Sequence, residues 1–218
     1  LYWILILIFE YVFEKQNIIL MAVSERQIEE RQIRKDKILF GALEVFKKIG
    51  VENSTMDQIA SESGFGTATI YYYFQSKEEI FSAILLDGWE NLSKNIEPII
   101  SVKYDSPRKT FINVLLKTSQ VVRSRPGLYE FLFNVPKQMS FKYEPWKKHQ
   151  EGLYKTLLSL LKESIAHGEF PNIDPNLLFK ALGGLFMGVV LMGDKNKSVS
   201  ENDIENLLNQ IIANPIEN

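Results

Sequence analysis

Apolar positions along the chain recur at the 3.6-residue helical period, and alternation of period two bounded by turn residues is missing, which predicts an all-α protein. The first long helix is expected from about Arg26 to Ile49. Ile38, Ala42, Val45, Phe46 and Ile49 form its inner stripe, with Lys35, Lys37, Glu44 and Lys48 mostly outside it, and Gly50 closes it. Thr55 and Gln58 have the spacing of a capping box and open a short helix carrying Ile59 and Ala60, which Gly64 ends. A second short helix is expected from Thr67 to about Phe74. Ser76-Lys77-Glu78-Glu79 reads as another capping box, starting a longer helix with Ile80, Phe81, Ile84, Leu85 and Trp89 inward.

Further on, Ser106-Pro107 reads as N-cap plus first helical residue, with Phe111, Val114, Leu115, Thr118 and Val122 on one face. Arg125-Pro126-Gly127 breaks that helix, and residues 128–145 read as aromatic and irregular. A leucine-rich helix is expected from about Trp146 to His167, an apolar one from Asp174-Pro175 to Met192, and a last one from Ser200 through Ile212. The layout is three compact helices followed by about six longer ones, with a seam inside the helix that starts at Ser76. The expected domains are an N-terminal extension (1–24), a three-helix unit (25–82) and a C-terminal helical domain (83–218).

The apolar run Leu1–Phe9 is too short to cross a bilayer. Nine helical residues rise about 13.5 Å, against a hydrocarbon core of roughly 30 Å. It has no basic segment before it and no small-residue cleavage site, so it is a poor secretory signal. Residues 1–20 are expected to be a dispensable extension ahead of Met21. An interfacial anchor or a partner-binding segment is the competing reading.

Composition adds exclusions. The chain has 218 residues, 45% hydrophobic and 24% charged, with a formal net charge of −2, an ordinary globular balance. With no cysteine, thiolate catalysis, disulfides and thiolate-bound metals are ruled out, and a reducing compartment, the cytoplasm, is expected. His149 and His167 stand in no ligand-like spacing, so no metal site is expected. Gly64-Phe65-Gly66 lacks the third glycine of a dinucleotide fingerprint and follows a helix. No Walker loop, G-x-S-x-G or H-E-x-x-H occurs, so neither an enzyme nor a cofactor is expected.

Two short helices joined by a glycine-containing turn have the form of a helix-turn-helix. On a wheel of 100° per residue with Ile70 at 0°, Phe74 lies at about 40°, whereas Ala68, Thr69 and Tyr72 fall at about 160°, 260° and 200°. Ile70 and Phe74 are therefore core anchors, and the opposite face is small and polar, then aromatic with hydroxyls. Such a face can enter a major groove, where threonine hydrogen-bonds base edges and offers a methyl to thymine. Tyrosine hydroxyls and Lys77 can clamp phosphates, and the helix starts at Thr55 and Ser76 add backbone donors. Each has a purely structural reading as well. Thr55 and Ser76 would cap helices in any protein, Tyr73 could pack on the first helix, and Lys77 could be a solvated first-turn residue. From Met21 to Ile80 there are eight basic and ten acidic residues, so nucleic-acid binding would rest on local placement and on a dimer.

The stretch Ile38–Leu85 resembles the DNA-binding domain of the TetR family of bacterial transcriptional regulators. The matching residues are Ala42, Phe46, Gly50, Thr55, Ile59-Ala60, the run Gly64-Phe65-Gly66-Thr67-Ala68-Thr69-Ile70-Tyr71-Tyr72-Tyr73-Phe74, and Ser76-Lys77-Glu78-Glu79. The resemblance implies a homodimer that binds double-stranded operator DNA through its N-terminal domains. It implies a C-terminal domain that dimerises and accepts a small-molecule effector, with repression as the default sign. Thr55 would cap the positioning helix at the DNA backbone. Thr67, Ala68 and Thr69 would enter the groove, and Tyr71, Tyr72, Tyr73 and Lys77 would touch phosphates or adjacent bases. Two positions depart from the family pattern: Gly66 stands where serine is common, and Tyr73 where histidine is common.

For an apolar or aromatic effector the candidates are Phe111, Phe131, Phe133, Trp146, Tyr154 and Phe186, although aromatics at helical spacing describe a plain core equally well. His149 and His167 read as a polar helix residue and a helix-dipole partner. The helix near 175–192 is apolar on most of its circumference and contains Gly183, Gly184 and Gly188. With the helix near 200–212 it matches the place where the family builds its intersubunit interface. Asn176 and Lys180 argue against reading it as a membrane span. A helical protein-interaction module without DNA binding is the alternative function.

Overall fold

The computed structural model describes residues 2–102, 104–134, 144–191 and 200–211. Among these residues every regular element is a helix. They are α1 (Tyr2–Ile49), α2 (Met56–Ser63), α3 (Thr67–Tyr73), α4 (Lys77–Ser101), α5 (Pro107–Ser124), α6 (Pro126–Phe133), α7 (Lys147–Ala166), α8 (Pro175–Leu191) and α9 (Glu201–Ile211). Two compact units divide the chain, Leu1–Ile80 and Phe81–Asn218, so the division falls inside α4.

In the first unit, α1 is one uninterrupted helix of 48 residues, longer than the expected start at Arg26. The reason is in the sequence: no glycine or proline occurs before Gly41. Ile38, Ala42, Val45 and Phe46 are buried with Val51, Ile59, Ala60, Ile70, Phe74 and Ile80. The stripe is wider than expected at one point, since Lys35 is half-buried with its ammonium 5.9 Å from the Phe74 ring centroid. At Gly41, α1 lies close against Ser63 at the end of α2. A Cβ there would lie 2.8 Å from the Ser63 backbone nitrogen and 2.9 Å from its Cα, which only glycine avoids. Gly64 takes the left-handed conformation (φ 71°) that turns the chain from α2 toward α3.

The second unit packs α5 against α7, α8 and α9. Phe111, Ile112, Leu161, Phe170, Leu178, Leu182, Ile204 and Leu208 form one continuous buried cluster. Residues 128–133, expected to be irregular, belong to α6. Pro126 ends α5 and also supplies the first residue of the next helix, where its missing N–H is of no consequence. Leu128, Tyr129 and Leu132 bury α6. The remainder of the expected irregular stretch, 135–143, lies outside the described residues, as do Met192 and Ile212, the expected ends of the last two helices.

Close packing joins α6 to α4. A Cβ on Gly88 would stand 2.8 Å from a Leu132 methyl. The Asn91 side-chain amide donates to the Tyr129 hydroxyl (2.9 Å), which in turn donates to the Gly88 carbonyl (3.3 Å). Arg125 pairs with Asp87 at 2.7 Å. Burial pushes the Tyr129 phenol above its ordinary value, against the opposing pull of the Asn91 hydrogen bond.

Gly41→Ala is expected to lower stability by about 1–3 kcal/mol, because α2 must move away from α1 to admit the methyl. Chemical unfolding checks this, and an unchanged midpoint would contradict the close approach. Because the Tyr129 phenol titrates higher in the folded state, its contribution to stability is intact below the unfolded value, near 10. That contribution is lost as pH rises through the folded value. Unfolding free energy is therefore expected to fall above about pH 10 and to fall less in Tyr129→Phe. A rise there would contradict it.

Candidate functional site

The outward surface of α3 is built by anchoring the helix from behind. Ile70 is fully buried and Phe74 nearly so, which leaves the opposite side of this seven-residue helix outward. Ala68 is exposed, Thr67 and Thr69 are half-buried, and Tyr71 and Tyr72 are 48% and 68% exposed. A tyrosine at 68% exposure contributes little to a core. Tyr73 is half-buried, and its ring stands edge-on to that of Tyr72 at 5.1 Å. The angular separation expected from the sequence is thus what the structure displays.

Hydrogen bonds hold this helix in place and use several groups that the sequence offered to DNA. The Thr55 hydroxyl accepts from the Gln58 backbone N–H at 3.2 Å, and the Thr55 N–H donates to the Gln58 side chain at 2.9 Å. The capping box is complete, and Thr55 acts as its cap. The Thr67 hydroxyl donates to the Asp57 carboxylate at 2.6 Å, tying the start of α3 to the start of α2. Lys77 reaches back with its ammonium to the carbonyls of Glu52 and Ser54, at 2.7 and 2.8 Å. It is neither a free rim cation nor simply a solvated residue: it fastens the turn before α2 to the start of α4 and keeps one N–H uncommitted. Ser76 accepts from the Glu79 N–H at 3.3 Å, while the Glu79 carboxylate accepts from Gln75 N–H at 2.7 Å, one residue before the cap.

Two residues join the site that the sequence reading did not single out. Asp57 fixes the two helices through Thr67. Arg31 of α1 places its guanidinium 5.7 Å from the Tyr72 ring centroid, so an exposed cation borders the exposed face of α3. The signal was present in the spacing. Arg31 stands seven residues before Ile38, two turns along the same face of α1.

The second unit holds a cavity of about 350 Å³ between α4, α5, α7 and α8, closed on one side by Phe133 of α6. Trp89, Phe111, Phe133, Tyr154, Phe179 and Phe186 supply its aromatic wall. Trp89 stands edge-on to both Phe133 and Tyr154 at 5.7 Å, and Tyr154 lies 5.7 Å from Phe179. Partial burial raises the Tyr154 phenol above its ordinary value, against the opposing pull of a hydrogen bond with Gln150. Polar contributions to the wall come from Thr118, Tyr154 and Lys180, and the Thr118 hydroxyl already donates to the Val114 carbonyl at 2.7 Å.

Two expected lining residues are placed elsewhere. Phe131 packs edge-on against Phe81 at 5.8 Å. It is two residues from Phe133, about 200° around the same helix, so the two cannot share a face. Trp146 is buried at the N-cap of α7 and takes no part in the cavity wall. Trp89 and Phe179, which do line it, were legible only as inward-facing or apolar residues.

On α8, Leu177, Leu185 and Val189 are exposed, and a Cβ on Gly184 or Gly188 would meet nothing within 4 Å. An apolar groove of about 250 Å³ runs between α8 and α9, lined by Leu185, Val189, Leu207 and neighbours. Among the described residues no helix is long and apolar enough to cross a membrane, and no group of three or more His, Asp or Glu could hold a metal ion.

Comparison with known proteins bears on the first unit most directly. Residues 38–84 match the family described as bacterial regulatory proteins, tetR family. The HTH-type transcriptional regulator YfiR of Bacillus subtilis is 27% identical over 156 residues, covering 67% of this chain and 73% of that protein. The HTH-type transcriptional repressor KstR2 of Mycolicibacterium smegmatis is 24% identical over 153 residues, covering 67% of this chain and 73% of that one. The crystal structure of AibR in complex with isovaleryl coenzyme A and operator DNA superposes with a TM-score of 0.69 at 14% identity, covering 84% of this chain and all of that one (100%), which is a likeness of fold. The exposed face of α3, its two buried anchors and the match at 38–84 agree on one assignment: residues 38–84 form a helix-turn-helix domain of the tetR family of bacterial regulatory proteins.

Proposed function

We propose that this regulator is a homodimeric repressor that holds operator DNA with the outward face of α3 and is released by a small apolar molecule in the cavity of its second unit. The observation that carries the DNA-binding part is the division of α3, with Ile70 and Phe74 locked inside, Ala68 and Tyr72 exposed and Thr69 half-exposed beside them. The small side chains at 68 and 69 let the helix enter the major groove, where Thr69 reads a base edge. Tyr71, Tyr72 and Tyr73 reach the flanking phosphates, and Arg31 adds a charge beside Tyr72. Thr55, Thr67 and Lys77 act mainly by holding α2 and α3 at their mutual angle, with the remaining N–H of Lys77 open to a phosphate. The protein acts where the chromosome lies, in the cytoplasm.

Repression is supported by the relative named as a repressor, KstR2, and the effector by the coenzyme A thioester bound to AibR. For release, a molecule lodged against Trp89 and Phe133 presses on α4 and α6, whose packing at Gly88 and Leu132 leaves no slack. Since α4 begins with Lys77, the displacement is passed to the turn that supports α2. Ligand affinity then differs between two dimer geometries, and operator affinity falls by that difference.

The second copy is proposed to pack on α8 and α9. Three glycines in one helix cost about 1 kcal/mol each relative to alanine. Gly184 and Gly188 face open space within the chain, so their use is the close approach of a partner helix beside Leu185 and Val189.

Genomic fragments selected by the full chain, followed by fluorescence anisotropy over a salt series, test the DNA-binding reading. Thr69→Ala and Tyr72→Ala, both at solvent-accessible positions, are each expected to weaken operator binding by about 1–3 kcal/mol while leaving thermal unfolding unchanged. Arg31→Ala is expected to lower the salt slope by about one. Failure to enrich any fragment, or unaltered affinity in Tyr72→Ala, would overturn it. For the dimer, sedimentation of the chain is expected to give two copies, and Leu185→Glu with Val189→Glu to give one. A wild-type monomer at micromolar concentration would contradict the α8 face.

A further inference from the structure

Lys180 is out of character with its helix. α8 is otherwise built of apolar and small residues apart from Asn176 near its start. Lys180 precedes Gly183 by three residues and Met187 by seven, the spacing that puts all three on one face, and all three line the cavity. The side chain is exposed, so its ammonium stands at the mouth and not in the apolar depth. Among the described residues it has no hydrogen bond or ion pair, and no carboxylate contributes to the wall. The wall is therefore an apolar, aromatic chamber with one uncommitted cation at its opening and one neutral phenol, Tyr154.

We infer that the effector is an amphipathic anion, an aliphatic or aromatic acyl chain whose negatively charged head is held by Lys180 while the chain fills the space between Trp89, Phe111, Phe133 and Phe186. This rests on the effector cavity proposed above and adds the chemical class of its occupant. Charge complementarity carries it. An apolar molecule with a cationic head meets like charge at the mouth. A wholly neutral one leaves the ammonium with nothing to recognise, whereas an anionic head gains a charge-assisted hydrogen bond. Apolar walls fix how deep the chain can sit, and Lys180 fixes its direction, head outward. Tyr154, a phenol and so protonated at neutral pH, lines the same wall and can offer a second hydrogen bond to a carboxyl or thioester oxygen. Two sources share this chemistry: a free carboxylate and a thioester carrying a phosphorylated carrier.

The test uses the full chain without DNA, so that its failure is separate from any failure to bind an operator. Titration calorimetry compares dodecanoate, its methyl ester and dodecanoyl coenzyme A on the wild type, Lys180→Met and Lys180→Arg. The wild type is expected to prefer the two anions over the ester by about fivefold, allowing for solvent screening at the mouth. That preference is expected to disappear in Lys180→Met, through weaker binding of the anions with the ester unchanged, and to persist in Lys180→Arg. Tighter binding of the thioester than of the free acid assigns the phosphorylated source, and the reverse assigns the carboxylate. Equal affinity for ester and anion in the wild type, a preference that survives in Lys180→Met, or no binding of any of the three would each overturn the inference.

Discussion

A short helix has too few residues to be rigid by itself, and α3, the proposed reading helix, has seven. Its direction depends on the burial of Ile70 and Phe74 in the core of the first unit, where α2 packs on both α1 and α3. That packing requires α1 and α2 to approach until only a glycine, Gly41, separates them at Ser63. Everything outward on α3 is a consequence of what is held inward. The hydrogen bonds of Thr55, Thr67, Lys77 and Glu79 add little energy each, but they remove the remaining ways in which α2 and α3 could swing. Net charge plays almost no part, since acidic residues outnumber basic ones between Met21 and Ile80. The affinity of this unit must come from placement.

The second unit is organised by a different tension. A bundle of this size could close its interior completely, yet the aromatic side chains along α4, α5, α7 and α8 meet edge to face and leave about 350 Å³ between them. Unfilled apolar space weakens a fold, which is the physical ground for the proposal that a ligand fills it. The glycines of α8 repeat the pattern on the outside, where they weaken the helix and leave its exposed apolar face open to close approach.

Much of this was legible in the sequence, and the parts that were not share a cause. The two faces of α3 could be read because a helix fixes angles between residues a few positions apart, and Ile70, Phe74, Thr69 and Tyr72 lie within six residues. The caps at Thr55 and Ser76 could be read for the same reason. The partners of Thr67 and Lys77 could not, since they lie 10 and 23–25 residues away and only the fold brings them together. α6 was hidden because Pro126 is as good a beginning as an ending. Phe131 was taken with Phe133 because composition does not show that two residues on a helix face apart. The extent of α1 was missed because a helix with no breaker need not stop where its amphipathic stripe does, whereas Arg31, inside the expected helix, was missed because the ring it borders, Tyr72, is distant in sequence. Lys180 was visible only as an argument against a membrane span, because its meaning comes from the cavity that the other helices enclose.

Hydroxyl-radical footprinting of a selected genomic site by the full-length protein is expected to show two protected patches. They should be related by approximate two-fold symmetry and centred about one helical turn, roughly 34–36 Å, or a multiple of it apart. A single unsymmetrical patch occupied by one chain, or uniform protection without a preferred site, would contradict the claim that α3 is a reading helix presented in duplicate.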